Sequence, residues 1–158
     1  DAATDAGIDA MLAVDLPPEE VGQVNAELHR VGMDNIFLVA PTTPEARVAR
    51  IAAQASGFIY YVSLKGVTGA GHLDLDAVRT GVAGIQQHTA LPVAVGFGIK
   101  DAESAKAIAA TAAGVVVGSA LVSRIARAIA DGGGQQAAID AAGNLVAEIR
   151  EGIDSIAS

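Results

Sequence analysis

Two places along the chain put small residues where a strand should hand over to the next element: Gly96-Phe97-Gly98 and Gly118-Ser119. Glycine at a strand end lets a ligand come close to the backbone. A helix beginning at Ser119 turns its free N–H groups, and the positive end of its dipole, into the same space. A phosphate group fits such a place without any Lys or Arg. The segment SALVSRIARAI (119–129) reads as a short extra helix between the last strand and the last long helix. One Gly-Ser pair alone is equally well a tight turn. Two such strand ends in consecutive units, with the extra helix, favour phosphate.

The loop 64–73 contains VTGAG and is longer than the usual strand-to-helix link of about 2–6 residues. It reads as a lid that excludes water, with Thr68 as the hydroxyl it places. The bland alternative is a floppy surface loop. Tyr60 and Tyr61 alternate across one strand, so one faces the interior and one the helices. Phe97 is a candidate wall for a flat ligand, although core packing is the commoner explanation of a lone strand aromatic. Asp15 closes the first apolar run and is either a buried acid or a cap for the following turn. No second acid or base pairs with it, which argues against a catalytic role. His29, His72 and His88 are not at metal-ligand spacing. Only His72, inside the lid, stands near the candidate site. There is no dinucleotide fingerprint, phosphate loop of the GKS/T kind or nucleophile elbow.

These residues must be positioned by the elements around them. Apolar runs at 8–15, 35–41, 58–63, 91–98 and 114–119 read as strands. Between them, amphipathic stretches at 17–32, 43–57, 74–89 and 100–114 read as helices. Val21, Val24, Leu28 and Val31 share one helix face; Val48, Ile51, Ala52 and Ala55 share another. Thr42 or Thr43 is the expected cap of the second helix, and Asp101, with Ser104 three residues on, the cap of a later one. The last helix is expected to bury Ile139, Ala142, Val146, Ile149, Ile153 and Ile156. Strand and helix alternating with short links mean a parallel sheet covered by helices. Either an open doubly wound sheet or a (βα)8 barrel fits, and both place function at the carboxyl ends of the strands.

Composition narrows the function classes. At 158 residues the chain is expected to be one domain. It is 51% hydrophobic but only 3% aromatic, so its core is built from Ala, Val, Ile and Leu. A net charge of -8 argues against a nucleic-acid binder and against a polybasic membrane anchor. No apolar run reaches the roughly 18 residues of a membrane span. There is no cysteine, which excludes disulfides and thiolate metal sites and makes the cytoplasm the expected compartment. The opening DAATDAGIDA lacks the basic and apolar regions of a signal peptide.

The segments IDAMLAVDLPPEE, NIFLVAPTTPEAR, GFIYYVSLKGVTGAG, PVAVGFGIKDAESAKAI and AAGVVVGSALVSRI resemble, in order and spacing, the carboxyl-terminal part of the tryptophan synthase alpha subunit family. The resemblance covers nearly the whole chain. It implies an α/β fold of the (βα)8 TIM-barrel type, present here as about five βα units, strands four to eight of an incomplete barrel. It also implies a lyase of tryptophan biosynthesis that cleaves indole-3-glycerol phosphate to indole and glyceraldehyde 3-phosphate. By position, Gly69, Gly98, Gly118 and Ser119 match the phosphate-binding backbone. Tyr60 matches the tyrosine beside the substrate. Leu12, Leu38, Phe97 and Val116 match apolar positions of the indole pocket, and Thr68 matches the lid threonine. Asp15 and Pro17-Pro18 match the region facing a beta subunit. That partner carries pyridoxal phosphate, and the alpha subunit has no cofactor of its own.

Two departures stand out. Leu64 follows Ser63 where the family usually has Arg, so donors of the lid are missing. By this alignment the chain begins near the end of the third helix of the family fold. The family's general acid–base glutamate and its aspartate partner fall on the preceding part, so no catalytic residue is expected within residues 1–158. A fragment inactive by itself is the expectation. The alternatives are another phosphate-binding barrel enzyme, of the sugar-phosphate isomerase type, and a noncatalytic half-barrel.

Overall fold

The computed structural model describes residues 1–63, 74–96 and 98–156. One helical turn, α1 (Ala2–Asp5), precedes β1 (Ala10–Leu12). Strand and helix then alternate: α2 (Gly22–Arg30), β2 (Asp34–Val39), α3 (Glu45–Gln54), β3 (Ile59–Val62), α4 (Leu75–Gln86), β4 (Val93–Gly96), α5 (Ala102–Ala109) and β5 (Gly114–Val116). Two helices close the series, α6 (Ser119–Ala130) and α7 (Gly134–Asp154). Among the described residues, no helix is long and apolar enough to cross a membrane.

The strands are all parallel and lie in the order β1-β2-β3-β4-β5. This order settles the choice between the two architectures. A doubly wound sheet reverses its strand order at a switch point. Here each strand is laid beside its predecessor, which is the progression of a barrel wall. The result is a half-barrel, with β1 and β5 at its two edges.

Side chains alternate across each strand, and the register carries that alternation across the sheet. Leu12 pairs with Ile36, Leu38 with Tyr60, Tyr60 with Ala94, and Gly96 with Val116. These residues face one side. Phe37, Val39, Ile59, Tyr61, Val93 and Val95 face the other and are buried. They pack with Val48 and Ile51 of α3, Val82 and Ile85 of α4, Ile108 of α5, and Leu145 and Ile149 of α7. The core therefore lies between sheet and helices. Burying each such aliphatic side chain contributes about 1.5–3 kcal/mol, which is why this face decides the packing. On the other face Leu38, Tyr60 and Val116 are half-buried and Leu12 is exposed.

Local chemistry sets the helix starts. Asp101 accepts from the Ser104 amide at 2.9 Å, and the Ser104 hydroxyl reaches back to the Asp101 amide, completing a reciprocal cap. Asp74 caps α4 by accepting from the Ala77 amide at 3.0 Å. Thr43 does not cap α3, which begins after Pro44. Its hydroxyl accepts from the Ala40 amide at 3.0 Å and ties the loop to the end of β2. The helix expected from Pro17 begins only at Gly22; Pro17–Glu20 form a turn closed by the Glu20 amide on the Pro17 carbonyl. A buried polar bridge joins α2, β2 and α3. Asn35 donates to Asn25 at 2.6 Å, and Asn25 donates to the Gln54 carbonyl at 3.0 Å.

The last helix is rotated from its expected position. Ala138, Leu145 and Ile149 are buried, with Ile153 packed beside them. Ile139, Val146 and Ile156 are exposed. Two apolar stripes overlap on α7, and the fit decides between them: a Cβ at Gly152 would stand 2.8 Å from the Ala102 carbonyl oxygen, so the face carrying Gly152 is the one that can close on α5.

Candidate functional site

Because the strands are parallel, their carboxyl ends share one rim. Ser63, just past β3, is tied to β4 through its amide and hydroxyl, which donate to the Gly96 carbonyl at 3.1 and 3.4 Å. Gly96 and Val116 are register partners. Gly98 and Gly118 each lie two residues beyond that pair, so the two glycine-bearing strand ends are brought side by side. Gly98 has φ +78°, a conformation glycine adopts at little cost.

Gly118 is the N-cap of α6 and offers no side chain to the helix start, and no acid stands in the first turn. The Val122 amide closes the first helical bond, to the Gly118 carbonyl at 3.1 Å. Among the described residues, the amides of Ser119, Ala120 and Leu121 have no acceptor. The neighbouring α5 spends its Ser104 amide on the Asp101 side chain; α6 has no such cap, and Gly118 and Ser119 at its start are exposed. Uncapped amides and the positive end of a helix dipole at one rim are suited to an anion.

The expected site residues fall into three groups. Leu12, Leu38, Tyr60 and Val116 stand on the sheet face opposite the helices, each linked to the next strand by register. Gly98, Gly118 and Ser119 stand at the rim above β4 and β5. Thr68, Gly69 and Phe97, with His72 and Leu64, lie outside the described residues. Gly96 differs from expectation. Its missing side chain does not open room for a ligand, because the Tyr60 ring fills that room: a Cβ at Gly96 would come within 2.4 Å of it. Asp15 is exposed in a turn three residues past the end of β1, so it is not a buried acid. Among the described residues, no group of three or more His, Asp or Glu side chains could hold a metal ion.

With this geometry in place, comparison with known proteins is decisive. The sequence profile of the family described as tryptophan synthase alpha chain matches residues 1–151. The chain belongs to the tryptophan synthase alpha chain family. A tryptophan synthase alpha chain from Chromobacterium violaceum is 52% identical over 148 residues, covering 94% of this chain and 55% of the relative. One from Methylococcus capsulatus is 58% identical over 128 residues, covering 81% and 48%. Among solved structures, tryptophan synthase subunit alpha from Legionella pneumophila superposes with a TM-score of 0.82 at 36% identity, over 97% of this chain and 55% of that one. Tryptophan synthase from M. tuberculosis gives 0.79 at 28% identity, over 96% and 53%. The chain thus spans about half the length of the relatives it matches.

Sequence reasoning missed the partnership of Tyr60 with Gly96 and that of Tyr61 with Gly81. A Cβ at Gly81 would lie 2.2 Å from the Tyr61 hydroxyl. The signal was present as glycine inside a helix and glycine at a strand end, each opposite an aromatic strand. Glycine in a helix interior is costly enough to call for a packing reason.

Proposed function

We propose that this chain supplies the phosphate- and indole-holding part of an alpha-subunit lyase that cleaves indole-3-glycerol phosphate to indole and glyceraldehyde 3-phosphate. The observation that carries the reading is the run of free amides at the start of α6, set beside Gly98 by the Gly96–Val116 register. The phosphate sits against those amides, together with Gly69. The indole ring lies over the sheet face that carries Leu12, Leu38, Tyr60 and Val116, and Phe97, outside the described residues, is assigned to the same pocket. Thr68 belongs to the loop that covers the substrate.

Cleavage breaks the bond between indole C3 and the glycerol chain. C3 must gain a proton and the departing carbon's hydroxyl must lose one, so an acid and a base are required. The groups named above bind and orient, and none of them is a carboxylate or an imidazole, the side chains that exchange protons readily near neutral pH. We assign proton transfer to the portion of the family fold that this chain does not span. Asp15 and Pro17-Pro18 lie on the side we assign to a beta subunit, which in this reading carries the pyridoxal phosphate.

The test adds the amino-terminal portion of the Chromobacterium violaceum relative to this chain and follows release of indole from indole-3-glycerol phosphate. Indole production that depends on both pieces is the expected result. Turnover of a sugar phosphate with no indole released would overturn the assignment in favour of an isomerase.

A further inference from the structure

Tyr61 is the back-to-back neighbour of Tyr60 on β3, and its surroundings have no place in the function proposed above. It forms the floor of a cavity of about 640 Å³ between α3 and α4, on the helix side of the sheet. The side chain is only 3% exposed, and among the described residues its hydroxyl has no hydrogen-bond partner. Burial pushes its phenol up, so it stays neutral. Across the cavity, Nε2 of His88 is buried and, among the described residues, makes no hydrogen bond; Glu45 Oε1 stands 3.4 Å away. Val39, Val48 and Ile85 supply apolar walls.

The charge at this cavity is of one sign. Glu45, Asp74 and Asp76 line it, and among the described residues no Lys or Arg does. Asp76 is held from outside by Arg79 at 2.8 Å, Asp74 accepts from the Ala77 amide, and Thr80 donates to the Asp76 carbonyl at 2.8 Å. An anion entering here would meet carboxylates. A phenol oxygen and a carboxylate can both accept, and an ammonium has three donors and no acceptor. The volume lies within the range of small-molecule sites.

We propose that the groove between α3 and α4 binds a small primary ammonium ion with an apolar body, its nitrogen toward Tyr61 and Glu45 and its apolar part against Val48 and Ile85. Gly84 lines the same groove, and a Cβ there would meet nothing within 4 Å. Gly84→Leu therefore puts a side chain into the groove from a position where the Cβ is unobstructed, and it replaces a helical glycine with a better helix former.

The experiment titrates the protein with 2-phenylethylammonium chloride by calorimetry, with 3-phenylpropionate in parallel as a probe of similar size and opposite charge. Saturable binding of the ammonium and none of the carboxylate is expected. Gly84→Leu should weaken the ammonium at least about tenfold and Tyr61→Phe about fivefold, the loss of one hydrogen bond. Gly84→Leu should melt no lower than the parent. The proposal is overturned if the ammonium shows no saturable binding, if the carboxylate binds equally well, or if both variants keep the parent's affinity.

Discussion

A methyl group added at Gly96 would press into the Tyr60 ring, while one added at Gly118 would meet nothing within 4 Å. Gly96 ends β4 and Gly118 stands two residues past β5, and both are visible in the sequence, yet they differ in kind. Gly96 is fixed by packing, and Gly98, at φ +78°, by backbone conformation. Gly118 is fixed by neither. Sequence shows where glycines stand but not what fills the space beside them, so Gly96 was grouped there with the ligand-facing residues. The freedom around Gly118 makes it the residue that separates binding from folding. Gly118→Val is expected to weaken binding of glycerol 3-phosphate by about tenfold or more, because the side chain covers the amides. Because Val is a poorer N-cap than Gly, the change should also cost stability, by about 0.5–1 kcal/mol, less than the loss in binding. Calorimetric titration and chemical denaturation of the same sample measure the two. Equal losses in both would return Gly118 to a packing role.

Among the elements, α5 and α6 make opposite use of their first turns. Asp101 is held below the usual carboxylate range first by the Ser104 hydroxyl and then by its amide. A depressed folded pKa contributes stability that is present above the unfolded value, near 3.8, and lost as pH falls through the lower folded value. Asp101→Ala should therefore cost about 1 kcal/mol at neutral pH. The gap between parent and variant should close only below the ordinary carboxylate range; a gap still open under strongly acid conditions would contradict this. This cap was legible because Asp and Ser at that spacing are a local signal. So was the alternation of strand and helix, and so were the inward faces of α2 and α3. The rotation of α7 was not, because it carries two apolar stripes and the choice rests on Gly152 meeting Ala102 across helices. The groove over Tyr61 was not, since it depends on the spacing of α3 from α4.

For the molecule as a whole, strand order was the question that local pattern left open, since a barrel and a doubly wound sheet share the same alternation. Resemblance to the family pointed to the barrel, and the consecutive order of five parallel strands establishes it. Large apolar side chains stay exposed toward the β1 edge, at Leu12 and Val14, and on α6 and α7, at Val122, Ile139 and Val146. The most direct test of the central claim follows the backbone amides themselves. Proton–nitrogen correlation spectra recorded during a titration with glycerol 3-phosphate should show saturable shifts at Gly98, Ser119, Ala120 and Leu121, with one shared dissociation constant. Amides that stay in place while phosphate is added, or shifts that gather elsewhere on the chain, would contradict the account.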